Sequence, residues 1–283
     1  MSRKRIIQVV RFCVALIVLA IFLFPIYWLV ITAFKQESEW FTAPPTFWPS
    51  KFTLSNFLGT GSTTFGTTTT SIAGIIPFLR NSVVVATTTS LVSTIIAAFA
   101  AYAISRTKIG GTGLAGWFIS MRFLPPIASA IPLYVIFSKI SLLNTWWALI
   151  LPYLVPTTAL SIWLLISFFN EIPQEIEEAA YIDGASRTKA FLQVVLPLSA
   201  PGLAAAAILA FIQSWGEFLL ALVLTSNASA QTLPVYLGRY ITGWRVAWGP
   251  LSAAGLVTML PVIIFALITQ RYLIRGLTLG AVK

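Results

Sequence analysis

The chain has 283 residues, of which 58% are hydrophobic and 9% charged, with a mean hydropathy of +0.88. Soluble domains carry about 25% charge, so this is the composition of an integral membrane protein. A formal charge of +10 would suggest an anionic partner for a soluble chain, but here the cations chiefly encode orientation in the bilayer; the lack of histidine and the single cysteine, Cys13, exclude a disulfide framework and the commonest general base and metal ligand.

In chain order, Arg3, Lys4, Arg5 and Arg11 precede an uncharged run from Phe12 to Phe34. That run exceeds the about 20 residues a membrane helix needs and the about 7–15 of a signal-peptide core, and no A-x-A site follows. It reads as a retained first span, about 12–34. Residues 35–80 are the longest polar interval: Trp40, Phe41, Phe47 and Trp48 among Pro44, Pro45 and Pro49 suit an interfacial segment. Its Thr/Gly-rich part, residues 59–74, suits disorder or a loop held by partners. A second span, about 82–104, is rich in Val, Thr and Ala, and small residues suit close helix packing. After the short RTKIGGTG turn come a third span, about 114–137, and a fourth, about 145–170. The acidic segment 171–199 separates these from a fifth span, about 202–224, and a sixth, about 251–270.

Charge inside a span needs separate weighing. Glu217 in the fifth span costs about 2.5 kcal/mol or more to insert, so it must face protein or a wet cavity, either as part of a pathway or subunit contact or as a satisfied structural carboxylate. Arg122 in the third span has a side chain long enough to snorkel. Pro125-Pro126 and Pro132 free backbone carbonyls there, as broken helices do at transport sites or as kinks do for packing. Arg122, Pro125, Trp215 and Glu217 are the candidate translocation-pathway residues. Trp146, Trp147, Trp244 and Trp248 read as interface anchors.

Orientation follows from the basic residues. With the N-terminus inside, the inner segments hold eleven of the eighteen: Arg3, Lys4, Arg5, Arg11, Arg106, Lys108, Arg187, Lys189, Arg271, Arg275 and Lys283. The outer segments hold six, and Arg122 lies in a span. Both termini and the acidic segment are therefore expected in the cytoplasm.

That segment, EIPQEIEEAAYIDGASRTKAFLQVVLPLS, carries five of the eight acidic residues: Glu171, Glu175, Glu177, Glu178 and Asp183. Pro173 suits a first helical turn, where the acids favour the helix dipole. Asp183-Gly184 is a helix stop. Ile172, Ile176, Ala179 and Ala180 at helical spacing make one face apolar and leave the other acidic. Ser186 can cap a second helix, with Arg187 and Lys189 in its first turn, and Pro197 and Pro201 mark entry into the next span. On composition alone the segment is either a solvated loop or a docking element.

The succession Glu178-Ala179-Ala180, three residues, Gly184, nine residues, then Val194-x-Leu196-Pro197 resembles the EAA loop of the membrane subunits of binding-protein-dependent ABC importers, with Val194 where the pattern has Ile. Three more segments, RFLPPIASAIPLYVIFSKISLLNTWWALILPY at 122–153, SWGEFLLAL at 214–222 and QRYLIRGLTLGAVK at 270–283, are similar to carbohydrate permeases of the maltose type, second membrane subunit. Together the resemblance covers about residues 80–283. It departs at Gly216, where Asn usually precedes the Glu.

The resemblance implies an all-α integral membrane fold: one transmembrane domain, residues 1–283, of six transmembrane helices with a cytoplasmic helical coupling loop. In the family that loop seats in a cleft of the ATPase, which assigns ATPase coupling to Glu177, Glu178, Ala179, Ala180, Asp183, Gly184 and Pro197. The C-terminal tail to Lys283 is, in near relatives, a second ATPase contact. The implied assembly has a second homologous permease, two cytoplasmic ATP-binding subunits and an extracytoplasmic solute-binding protein in the bacterial cytoplasmic (inner) membrane. The implied solute is a sugar or sugar-like molecule; glycerol phosphate or another polyol derivative is the alternative. No GxxxxGK[ST] loop occurs, so ATP and Mg belong to the partner subunits and this chain is not itself an enzyme. An ion-coupled secondary transporter would carry several intramembrane carboxylates or an inverted repeat; one carboxylate and no repeat are found.

Overall fold

The structure, a computed structural model, describes residues 3–59 and 72–279. Most of the Thr/Gly-rich 59–74 segment and the terminal Lys283 lie outside those residues. In chain order the helices are α1 (Arg3–Ala33), α2 (Ser55–Leu58), α3 (Ile72–Thr107), α4 (Gly111–Ser120), α5 (Pro126–Lys139), α6 (Trp146–Glu171), α7 (Gln174–Ile182), α8 (Arg187–Ala190), α9 (Leu196–Leu198), α10 (Ala200–Trp215), α11 (Leu219–Leu224), α12 (Leu233–Gly238) and α13 (Trp248–Leu279). No strand occurs among the described residues; a lone bridge joins Ile241 to Val246.

Among the described residues four helices are long and apolar enough to cross a membrane, over Ile7–Ala33, Gly74–Thr107, Trp146–Glu171 and Trp248–Ile268, and the number rises to as many as six if each of two bent pairs is one crossing. The long helices outrun the uncharged runs at their basic ends, because Lys and Arg are good helix formers whose stems lie along apolar surface.

The third span is not continuous. α4 passes through a short 3-10 turn, Met121–Phe123, and the chain restarts as α5 at an angle of 81°. Two adjacent prolines cause this: the residue before a proline is pushed out of the helical region, and Leu124 (ψ 117°) and Pro125 (ψ 129°) are both extended. Pro126 then occupies the first turn of α5, where its missing N–H costs nothing. The fifth span is also divided. α10 stops at Trp215 and α11 begins at Leu219, with Glu217 between them.

By its contacts the chain forms two units, residues 1–76 with 236–260 and residues 77–235 with 261–283. In the first unit, α1 is apolar on all sides from Phe12 onward and exposed along most of its length, as a lipid-facing helix is. The polar segment after it is folded rather than loose. Asn56 donates to the carbonyls of Ala33 (2.9 Å) and Lys35 (2.8 Å), and Glu39 accepts from the Ser50 N–H at 2.9 Å and from its hydroxyl. Lys35 is buried, donates to the Thr46 carbonyl and lies over the Trp28 ring at 4.5 Å. Burial lowers its pKa from the ordinary lysine value, with Glu39 acting in the opposite sense. Glu37 pairs with Arg245 beside the 242–245 turn. Trp244 and Trp248, both read as interface anchors, are exposed there.

Two apolar clusters lie in the second unit among the described residues. One gathers Val85, Ala130, Phe137, Leu149, Tyr153, Leu220 and Leu224. The other gathers Ala97, Ala101, Leu165, Phe169, Phe191, Val195 and Ala206. Alanines let helix backbones approach closely. At Gly202 the approach is closer still, since an added Cβ would lie 2.4 Å from the Phe168 ring. Polar anchoring is concentrated at Asn81, which donates to the carbonyls of Ala228 (2.9 Å) and Gln231 (3.0 Å) and accepts from Trp146 Nε1 at 3.0 Å. The other expected anchor in this unit, Trp147, is exposed.

Candidate functional site

Segment 171–199 folds as its local chemistry dictates. Pro173 is the residue before α7, with Glu175 and Glu177 in the first turn. The helix ends in a Schellman motif: the Ala185 N–H donates to the Ala180 carbonyl (2.9 Å) and the Gly184 N–H to that of Tyr181 (3.0 Å). The motif needs a left-handed residue after the cap, and Gly184 supplies it at φ +84°. Ser186 then caps α8, its Oγ accepting from the Lys189 N–H at 3.3 Å. A π-type turn, Phe191–Val195, leads into α9, where Pro197 sits in the first turn, and a 76° bend follows into α10.

The faces of α7 are not those that composition suggests. Ile176, Ala179, Tyr181 and Ile182 are exposed, Ile182 at 87%, and Glu178 is exposed beside them. Glu177 is the buried residue, at 4%. Its carboxylate accepts from Arg106 Nε at 2.5 Å and from the Tyr102 hydroxyl at 2.7 Å, while Arg106 Nη2 donates to the Ile172 carbonyl at 2.9 Å. The outward surface of α7 therefore mixes Ile176, Ala179, Tyr181 and Ile182 with Gln174, Glu175 and Glu178, and one of its acids, Glu177, is turned into the protein. Of the seven sequence-predicted coupling residues, Glu178, Ala179, Asp183 and Gly184 are exposed, Ala180 is half-buried, Glu177 is buried and Pro197 shapes the exit.

The four candidate pathway residues separate. Arg122 and Glu217 line one cavity of about 340 Å³, together with Met121, Ser129, Tyr153, Thr157, Gln213 and Ser214. Pro125 makes the 81° break that shapes its wall. Trp215 does not line it; the indole is buried and stacked on Phe211, ring centroids 5.5 Å apart. An aromatic four residues earlier on the same helix is the sequence signal for that packing. Glu217 is satisfied from three directions: it accepts from the Tyr153 hydroxyl (2.5 Å) and from the N–H groups of Leu220 (2.8 Å) and Ala221 (3.1 Å) at the start of α11. Its charge faces the positive end of a helix dipole. Arg122, an exposed residue, has no acceptor among the described residues, and the buried Ser214 Oγ and Gln213 Oε1 have no hydrogen-bond partner among them. Gly216 precedes Glu217 at φ −86°, a conformation open to any residue.

Comparison with known proteins agrees in fold and family. Residues 93–279 match the family described as "Binding-protein-dependent transport system inner membrane component". The chain is 38% identical over 274 residues to the sulfoquinovosyl glycerol transport system permease protein of Agrobacterium fabrum, covering 96% of this chain and 93% of that one. It is 34% identical over 283 residues to the trehalose/maltose transport system permease protein of Thermococcus litoralis, covering 99% and 97%. The crystal structure of a bacterial ABC transporter involved in the import of the acidic polysaccharide alginate contains a chain of the same fold, with TM-score 0.70, 23% identity, and coverage of 96% of this chain and 99% of that one. The apolar helices, the extent of the match and the full-length relatives agree: this chain is a multi-pass inner-membrane permease subunit and belongs to the family of binding-protein-dependent transport system inner membrane components.

Proposed function

We propose that this chain forms half of the translocation pore of an ATP-driven importer for a sugar or sugar-like solute, paired with a second homologous permease, driven by two cytoplasmic ATP-binding subunits and supplied by an extracytoplasmic binding protein. ATP and Mg act on the ATPases, and this chain carries no reaction of its own. The observation that carries the reading is the outward face of α7, where Ile176, Ala179, Tyr181 and Ile182 are exposed among Gln174, Glu175 and Glu178. A cytoplasmic segment with so much exposed apolar surface has a partner. The excess of basic residues on the same side as the segment supports cytoplasmic termini, and six crossings result if α4 with α5 and α10 with α11 each make one. Closure of the ATPases on ATP draws two such docked helices together, and the pore turns from inward- to outward-facing. Sugar-type solutes are supported by the printed names of the relatives, trehalose/maltose and sulfoquinovosyl glycerol among them.

A detergent pull-down from the native membrane tests the assembly. An ATPase, a second permease and a binding protein are expected, and a chain recovered alone and active would instead identify an ion-coupled transporter. Two variants test the docking face. Glu178→Ala and Gly184→Val, the latter forcing a β-branched residue to φ +84°, are expected to uncouple or release the ATPase while the subunit stays inserted. Wild-type association and import in both would overturn the assignment.

One observation favours a narrower solute class. Arg122 lines the cavity of the second unit without an acceptor among the described residues, a cation placed for a solute bearing an acidic group, such as a sugar sulfonate or a polyol phosphate. Thermal-shift screening of the copurified binding protein with neutral and anionic sugars and polyols decides between the two. Stabilisation only by neutral sugars excludes the narrower class.

A further inference from the structure

We infer that Glu177, Arg106 and Tyr102 form the linkage through which displacement of the coupling helix α7 passes to the membrane helix α3, and that Glu177 belongs to this linkage rather than to the surface an ATPase touches. The inference rests on the docking role of α7 proposed above. Glu177 is 4% exposed, so little of it is left for a partner protein to touch. Its two oxygens are held separately, Oε1 by Arg106 Nε at 2.5 Å and Oε2 by the Tyr102 hydroxyl at 2.7 Å, and both donors lie one turn apart on the last turns of α3. Two donors fix the orientation of the carboxylate as well as its distance.

The same guanidinium also reaches the Ile172 carbonyl at 2.9 Å, the residue that ends α6. One arginine therefore holds the ends of α3 and α6 and the first turn of α7. The joint is backed by packing: the Tyr102 ring lies 4.4 Å from that of Phe191 and edge-on to Phe169 at 6.0 Å. The side chains of Arg106 and Glu177 are 10% and 5% exposed. Pulling them apart would separate two largely buried charges, in a pocket that Gln174, Glu178 and Arg187 also line, which makes the joint stiff. A force on the outward face of α7 moves α3, a helix of 36 residues, instead of stretching the loop.

The test uses the complete complex, reconstituted with its ATPases and binding protein, and Glu177→Gln, which removes the charge and keeps an oxygen for Tyr102. The ATPases are expected to copurify with the variant at the wild-type level while solute imported per ATP hydrolysed falls at least fivefold. Wild-type import per ATP would overturn the inference, and so would loss of the ATPases from an inserted subunit, which would return Glu177 to the docking surface. If Glu177→Gln fails to insert, Arg106→Cys with Glu177→Cys in a Cys13→Ser background replaces the joint by a short bis-methanethiosulfonate bridge. Import per ATP should rise when the bridge is made and fall when it is reduced; indifference to the bridge overturns the inference. Wild-type complexes from which no ATPase copurifies would remove the docking reading itself, a different result from either.

Discussion

Glu177 and Glu217 are both carboxylates drawn away from water in the second unit, and they are held in different ways. Glu177 meets a full positive charge, Arg106, with Tyr102 as a second donor. Glu217 meets no cation among the described residues; it is held by Tyr153 and by two N–H groups at the start of α11. The first arrangement binds elements 71 residues apart in the sequence, since its strength is concentrated in one pair that cannot be separated cheaply. The second is mostly local, and it holds the charge where a span is interrupted without committing a cation to it. That leaves Arg122 in the same cavity free of the acid, so the cavity keeps a positive side chain that a simple Arg–Glu pair would have neutralised.

The contrast predicts a ranking. Arg106→Ala strands the Glu177 carboxylate and should destabilise the subunit by about 3–5 kcal/mol, read as a large drop in the detergent unfolding temperature or in the amount of inserted protein. A loss under about 1 kcal/mol would mean that water reaches Glu177 and the two acids are less different than their surroundings imply. Glu217→Ala removes acceptors for one hydroxyl and two N–H groups and should cost about 2 kcal/mol, since the N–H groups at a helix start can still turn to water in the cavity. The smallest effects belong to the hydroxyls. Tyr102→Phe and Tyr153→Phe should each cost about 1 kcal/mol, because each carboxylate keeps its other donors. If Tyr153→Phe equals Glu217→Ala in the same unfolding assay, the helix-start bonds contribute nothing and Glu217 depends on its hydroxyl alone.

What the sequence made legible follows the range of each interaction. The Schellman stop at Gly184 and the cap at Ser186 depend on neighbours within five residues, and both were readable as letters. The apolar stripe of α7 was readable too, but its direction was not. An apolar face ordinarily turns inward, and here Glu177 turns inward because its partner lies on α3, 71 residues earlier, which no local pattern reveals. Pro125-Pro126 announced an interruption, yet only the geometry gives the 81° bend that splits the expected third span. Glu217 marked the fifth span as unusual, although the charge alone could not say that it would cap a new helix after a break. Trp215 is buried against Phe211 one turn earlier, a contact that the helical spacing of the two aromatics contains.

Helix α1 bears on the order in which the molecule is made. Its 31 residues extend roughly 46 Å, more than the about 30 Å of hydrocarbon in a bilayer, and most of its described apolar side chains are exposed. Its stability in the membrane comes from lipid and needs no later segment. It can therefore be threaded as soon as it leaves the ribosome, before the residues that will build either apolar cluster exist, and it hands the translocation machinery a settled crossing from which the helices after it are laid down.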